Sequence, residues 1–572
     1  MAKGTTTMRN SCWWVTTALA LAFSQSACTS QGMRTQSEKP VAMTGAGGGW
    51  PVYGGDMSNT RYSASDQINA GNVQNLHLKW LFQTGVIGSF ETTPVVEDGV
   101  MYITTPYNHL FAIDARTGKE LWSYEHKLGT TIFCCGPNNR GVALAGDKIY
   151  MATLDAALVA LNKKTGDVVW ETEIADPEFG YSETVAPTVY GNKVILGISG
   201  AEYGIRGFIS AYDKDTGKLI WRWHTIPEPN EVMPDGTRGW YGTYSNMADG
   251  INPLHRDIAA EKAAASKYPD AWKRGGGSNW MTNAIDPERG LLFAAIGNPS
   301  PDLYSEIRPG DNRWTESLVA LDVNTGKLVW GYQYVPHDPW DFDAVSPPVL
   351  ADVTGKDGKT LTVPAVILGG KTGWVYVHDR QTGKLIRRSD AMIPQENLFT
   401  QPTEQGVRML PGANGGVEWS PGAFNPNTRL VYYDNLHQPM TYKVKKEPWQ
   451  QGKLWLGGAF TAIPGEDQWG NVSAVNVDTG KIAWQAKSED PMIGGTLTTG
   501  GNLVFAGEGD GSFNAYNATT GQKLWSFHAG AGVNSAPMTF VIDGKQYVAV
   551  AAGGNFQLNY KVGDSVLVFG VD

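Results

Sequence analysis

One pattern of eleven residues governs what this chain can fold into: Ala112-Ile-Asp-Ala-Arg-Thr-Gly-Lys-Glu-Leu-Trp122. It returns at Ala160–Trp170, Ala211–Trp221, Ala320–Trp330, Ala474–Trp484 and Ala515–Trp525, with a weaker copy at Val377–Arg387. Each copy reads apolar-x-Asp/Asn-x-x-Thr-Gly-x-x-x-Trp, the weaker one ending in Arg. Alternating residues before the pattern form a strand, Asp or Asn with Thr-Gly turns the chain, and the Trp lies on the returning strand. Another strand precedes each copy, as at Gly99–Ile103 and Asn502–Phe505. One repeat is thus a small antiparallel sheet of about four strands, a propeller blade, and the fold class is all-β.

Seven copies leave two segments without a place. Ser535–Gly570 holds strands but no Thr-Gly-x-x-x-Trp end, and Asn75–Trp80 is a Trp strand with no blade before it. Pairing the early strand with the late ones completes one more blade, giving an eight-bladed β-propeller closed by its N- and C-terminal strands without exposed sheet edges. The 69 Gly, 21 Trp and 23 Tyr suit such tight turns and ring-filled interfaces. Two intervals between copies are long. The first excess, at roughly 225–276, contains Ile258–Lys267, which predicts a surface helix; the second lies around 387–416 and 442–464. Insertions of this kind cover one face of a propeller and shape access to a site.

The chain divides into a signal peptide (1–28), a flexible leader (29–49) and a single propeller (50–572). Lys3 and Arg9 precede a short apolar core, Trp13–Phe23, too short to span a bilayer. Cleavage before Ala27 and lipid modification of Cys28 both fit the residues there. Export to the periplasm follows, and in that oxidising space the adjacent Cys134 and Cys135 can form a disulfide; packing as two reduced thiols is the plainer alternative. A formal net charge of −10 argues against nucleic acid as a partner and suits a basic protein partner or simple solubility.

The residues outside the repeat carry the chemistry. Cys134-Cys135-Gly-Pro-Asn-Asn-Arg140 joins two blades; Thr184-Val-Ala-Pro187 is followed by Ser199-Gly200-Ala201-Glu202; Ser278-Asn279-Trp280 follows three glycines; and Gly297-Asn298-Pro299 lies further on. His337-Asp-Pro-Trp-Asp341-Phe-Asp343 places two carboxylates two residues apart, which on a strand point to one side and suit a cation. Taken alone, Glu202 reads as a solvated turn residue and Trp280 as one more packing ring.

Together these segments resemble the methanol/ethanol family of quinoprotein alcohol dehydrogenases, over nearly the whole chain from Trp50 onward. The resemblance implies a dehydrogenase that oxidises alcohols to aldehydes with pyrroloquinoline quinone (PQQ) and one calcium or lanthanide ion. By that match Cys134 and Cys135 form a disulfide plate above the quinone and Trp280 the plate below. Arg140, Thr184, Ser199, Gly200 and Ala201 hold cofactor carboxylates, Glu91 stands at the cofactor's edge, and Lys371 lies on the quinone oxygens. Glu202, Asn298 and Asp341 bind the metal, and Asp341 is the catalytic base. Asp343 resembles the lanthanide-dependent branch, since a trivalent ion needs more negative charge around it.

No Cys-x-x-Cys-His is present, so the resemblance implies a separate acceptor, an exported cytochrome c. Ile493 and Asn555 stand where methanol-specialised relatives carry Trp, which predicts a roomier pocket. Glu418 departs from the family's Asn and is given no cofactor contact. The alternatives are a quinoprotein acting on sugars, polyols or polymeric alcohols, and a non-enzymatic propeller of the outer-membrane assembly lipoprotein type.

Overall fold

A computed structural model describes residues 48–358 and 362–572. The expected signal peptide, Cys28 and nearly all of the leader lie outside the described residues. Among those described, seven sheets of four strands and one of five account for most of the chain. Successive sheets span 95–125, 143–173, 188–224, 284–333, 349–388, 423–488 and 496–528. The last combines Met538–Ile542, Lys545–Ala552 and Ser565–Gly570 with the early strand His77–Gln83, whose His77 lies opposite Gly570. The result is an all-β, propeller-like fold. No described helix is long and apolar enough to cross a membrane.

The repeat owes its form to hydrogen bonding at its turn. Asp114 Oδ1 accepts from the backbone N–H groups of Arg116 and Thr117 at 2.9 and 3.1 Å. Asp322 does the same for Asn324 and Thr325, and Asn517 for Thr519 and Thr520. The side chain thereby satisfies two N–H groups that the turn would leave unpaired. The turn glycine then meets the preceding sheet. A Cβ at Gly118, Gly166, Gly217, Gly326, Gly383 or Gly521 would strike the indole of Trp80, Trp122, Trp170, Trp221, Trp330 or Trp484 respectively. Most of these indoles also donate to a backbone carbonyl of the same turn, as Trp484 Nε1 does to Ala518 O at 3.0 Å. Gly480 follows the weaker copy and meets the backbone of Arg388 instead, because Arg387 supplies no ring. Trp525 Nε1 donates to Leu76 O, so the run of contacts returns to the strand from which it began.

A second, unrepeated segment ties the inner strands together. Ile285 N donates to Met57 O, Leu350 N to Ser58 O, Phe424 N to Thr60 O and Thr498 N to Arg61 O, at 2.8 to 3.0 Å. Arg61 is fully buried and spends its guanidinium on the carbonyls of Thr496, Tyr53 and Pro537.

The predicted surface helix is an α-helix at Ile258–Ala264, extended by a 3₁₀ turn at Ala265–Lys267 and capped by Asp257, whose carboxylate accepts from Ala260 N. The second excess contributes a small sheet of Val407–Met409, Met440–Val444 and Gly458–Ala462. Its loop reaches the unrepeated segments: Trp455 N donates to Glu202 O, Trp449 Nε1 to Tyr203 O, and Leu303 N to Leu456 O.

Candidate active site

Segments between the sheets and loops within them converge on one cavity. Its walls bring together residues from seven separate stretches: Cys134 to Arg140, Ser182 to Glu202, Ser278 and Trp280, Asp341 and Asp343, Lys371, Asn414 and Glu418, and Gln557.

At one end stands Arg140. Its guanidinium pairs with Glu91 Oε2 at 2.6 Å and donates to Thr184 Oγ1 at 2.8 Å, and Thr184 Oγ1 lies 3.3 Å from Ser199 Oγ. Its Cζ sits 5.0 Å from the Trp280 ring and 4.7 Å from that of Trp419, a favourable site for a cation. Arg140 Nε is buried and has no partner. Glu91 is enclosed, and burial pushes its carboxyl up to about 7 although Arg140 opposes this. With the hydroxyls of Ser182, Thr184, Ser199 and Ser278 on the same wall, this end suits a carboxylate-bearing guest.

At the other end stands Lys371. Its Nζ lies 2.8 Å from Asp343 Oδ2, 3.1 Å from Asp341 Oδ2 and 3.9 Å from Glu418 Oε1. Burial alone would push the ammonium down, but Asp341, Asp343 and Glu418 hold its pKa well above the ordinary value. Asp341 is driven far up, first by burial and then by Asp343 and Glu202 against the pull of Lys371. Burial also raises Glu202, to about 7. Around one ammonium the fold thus gathers more carboxylate than it neutralises, an arrangement with room for a further cation. Asn298 is held beside it: its backbone N–H donates to Asp343 Oδ1 at 2.6 Å, and its own Oδ1 is buried without a partner. Gly297 makes this approach possible, since a Cβ there would collide with the Asp343 carboxylate.

The placement departs from the sequence reading in several particulars. Asp341 and Asp343 lie not on a strand but in an irregular segment, with Asp341 at a left-handed φ of 60°. Asp338 shapes that segment by accepting from Trp340 N and Phe342 N, so the two carboxylates reach Lys371 without strand alternation. A non-glycine residue held in this conformation is strained, as at many functional sites. Cys134 and Cys135 are unbridged thiols here, where a disulfide was expected. The Cys134 thiol hydrogen-bonds with Cys135, which together with burial pushes it well up. Ala201 lies off the cavity wall, and its N–H is already engaged by Ser278 Oγ at 2.9 Å, so it is not free for a guest. Glu91 also stands behind the wall, steadying Arg140 and accepting from Asn555 Nδ2 at 3.1 Å. Ile493 is buried in a cluster with Trp419 and Leu436 against Trp280, and neither it nor Asn555 lines the cavity. Their size therefore does not widen it directly.

Several wall residues escaped the sequence reading: Asn138, Ser182, Ser278, Asn414, Gln557 and Glu418, the last of which had been set aside. Asn414 and Gln557 follow no repeat, and their only signal is the glycine-rich stretches beside them, Gly412 to Gly416 and Gly553-Gly554. Asp302 and Glu316 are buried carboxylates beside the same cluster, equally unmarked.

Comparison with known proteins agrees with this geometry. The family model described as the PQQ glucose/ethanol/alcohol dehydrogenase β-propeller domain matches residues 50–248, 254–394 and 463–548. The quinoprotein alcohol dehydrogenase PedH of Pseudomonas putida is 37% identical over 521 residues, covering 87% of this chain and 84% of the relative. Methanol dehydrogenase (cytochrome c) subunit 1 of Methylobacterium organophilum is 33% identical over 557 residues, covering 90% and 86%. Among solved structures, the quinohemoprotein alcohol dehydrogenase from Comamonas testosteroni shares the fold with a TM-score of 0.80 at 33% identity, over 91% of this chain and 80% of that one. A europium-containing methanol dehydrogenase reaches a TM-score of 0.80 at 30% identity, over 91% and 98%. These matches set aside the reading of a non-enzymatic assembly lipoprotein. With its repeat, its cavity and its relatives in agreement, the chain belongs to the PQQ-dependent quinoprotein alcohol dehydrogenases.

Proposed function

We propose that this protein is a periplasmic dehydrogenase that oxidises alcohols to aldehydes with PQQ and one metal ion, and that an exported cytochrome c takes the electrons. The observation that carries this reading is the convergence of seven unrepeated segments on one cavity, with Arg140 at one end and the Asp341, Asp343 and Lys371 cluster at the other. The eight sheets are read as blades of a closed wheel, each but the 349–388 sheet docked on the next through its Trp.

The residues present fit both groups. Arg140, with a buried and unpartnered Nε, and the hydroxyls of Thr184 and Ser199 would hold the quinone's carboxylates. Trp280 would lie against its plane, and Cys134 and Cys135, whose thiols already hydrogen-bond, would close over the other side as a disulfide. Among the described residues no three His, Cys, Asp or Glu side chains converge as a formed metal site. The chemistry of the donors nonetheless suits a hard cation. Glu202, Asp341 and the orphaned Asn298 Oδ1 are oxygen ligands, and Asp343 adds charge that favours a trivalent ion.

When bound, the quinone supplies a two-electron oxidant and the cation a Lewis acid. The protein's own part is positioning and proton transfer. Asp341, whose carboxylate sits 3.1 Å from Lys371 Nζ at the cation end of the cavity, takes the alcohol's hydroxyl proton. Lys371 stabilises negative charge at that end of the cavity.

The test is reconstitution of purified protein with PQQ and either calcium or lanthanum, followed by its visible absorption and a dye-linked screen of alcohols, aldehydes and sugars. A quinone spectrum with alcohol-dependent dye reduction is expected, and absence of the spectrum under both ions would remove the reading. Full activity with calcium and no gain from lanthanum or cerium would remove the lanthanide preference. Preference for sugars or polyols would favour the second reading, to which the polar wall residues Asn138, Asn414 and Gln557 lend support.

A further inference from the structure

Asp302 is 2% exposed, yet it lies in none of the patterns that mark the site. Its Oδ1 accepts from Asn298 Nδ2 at 2.9 Å, and the same amide nitrogen lies 3.3 Å from Pro299 O. Two acceptors on one side of an amide fix which way it faces. The carbonyl of Pro299 can accept but never donate, so this orientation does not depend on the charge of Asp302. The amide's other end, Oδ1, is left buried and free of any protein partner.

The segment carrying Asp302 is itself held firmly. Arg308, fully enclosed, donates to Pro301 O and Asp302 O at 2.9 Å each, and Leu303 N donates to Leu456 O at 2.8 Å. The charges acting most strongly on the Asp302 carboxylate are Asp341, Glu202 and Asp343, ahead of Arg308. A carboxylate buried near others is relieved either by a proton or by positive charge shared with the group.

Resting on the cation site proposed above, we propose that Asp302 is its positioning residue. It locks the Asn298 amide so that Oδ1 is presented as a ligand, and with a cation in place to ionise it, it adds one negative charge behind the ligands. Asn298 thus reaches the site through two anchors, its backbone on Asp343 and its side chain on Asp302.

Two substitutions separate orientation from charge. D302A removes both, whereas D302N keeps an acceptor for Asn298 Nδ2 and removes only the charge. The measurement is the affinity of PQQ-loaded wild type, D302N and D302A for Ca2+ and La3+ by equilibrium dialysis, with folding checked by circular dichroism. D302A is expected to bind both ions about 10- to 100-fold more weakly, the usual effect of removing a group that orients a ligand. D302N is expected to retain more of the calcium affinity than D302A does, and to lose more for La3+ than for Ca2+, because the missing charge acts on a larger one. Wild-type affinity for both ions in folded D302A would overturn the proposal. Should D302A fail to fold, unchanged La3+ affinity in D302N would overturn it. A wild type that binds neither ion would instead remove the cation site itself, and the role of Asp302 with it.

Discussion

The turns that finish the sheets and the cavity between them employ the same acidic residues to opposite ends. At each repeat turn an Asp or Asn receives two backbone N–H groups and faces solvent, so the carboxylate is at ease ionised. Burial opposes the charge of Asp322, but the Thr325 hydroxyl and two N–H groups together outweigh it and hold its pKa below the ordinary value. In the cavity the carboxylates meet one another. Burial pushes Asp302, Asp341 and Glu316 well up, and each is raised further by its acidic neighbours. The first arrangement stabilises the fold, and the second spends that stability on charge that a bound ion can use. A structure organised in this way should lose activity and stability at different places.

The largest separation is expected at Asp341. Replacing it with Asn should lower kcat by about 10²- to 10⁴-fold, the span of general-base catalysis, while the quinone absorbance and the melting temperature stay near wild type. Wild-type turnover would take Asp341 out of the proton-transfer role.

Next comes Trp484→Ala. This indole covers the Gly521 turn and is 9% exposed, and removing a buried ring costs about 3–5 kcal/mol. Thermal or denaturant unfolding should show the loss, with kcat per folded molecule unchanged. An equal fall in kcat would mean that the ring of sheets and the cavity are not separable.

The pH dependence sharpens the contrast. Burial pushes both Glu91 and Asp434 up to about 7. Acids raised on folding bind protons more tightly in the folded state, so the stability they contribute is full below their unfolded pKa of about 4 and lost as pH rises toward 7. Asp155 is the opposite case: burial works against it, but His126, Thr153 and Gly129 N draw it down to about 2. Its contribution is present above about pH 4 and disappears as pH falls toward 2. Protein free of cofactor and ion, followed by melting temperature from pH 4 to 7, should therefore lose stability on the alkaline side of that range. A rise across it would contradict the assignment.

The smallest effect is expected at a single turn. Asp322→Ala removes three hydrogen bonds near the surface and should cost about 1–2 kcal/mol. The melting temperature should register it, and the quinone spectrum should not.

The repeat was legible because it is periodic and its parts are local: the turn acid, its Thr-Gly and the Trp all fall within eleven residues. The early strand could be matched to the late ones because each lacked what the other had. The cavity was harder to read. Arg140, Glu202, Asp341 and Lys371 stood out only through a family resemblance, since Arg140 and Asp341 lie between sheets, Glu202 and Lys371 lie in loops within two different sheets, and nothing in the neighbourhood of any of them names its partner. Asp302 shows why the remainder stayed hidden. Its significance lies in an amide four residues away and in three carboxylates contributed by distant parts of the chain, a relation that exists only after folding.

The segment from Met57 to Arg61 sets the order in which the molecule can be assembled. Its carbonyls accept from the inner strands of sheets that begin at residues 284, 349, 423 and 496, and the nearby strand at His77–Gln83 pairs with Ser565–Gly570. What emerges first from the ribosome thus waits for what emerges last. Individual sheets, made of neighbours in sequence, can form during synthesis, but the unpaired early segment must be kept from wrong partners until the whole chain is available. Under the export proposed above, that wait would end only on the far side of the membrane, where a cofactor and an ion would also be met.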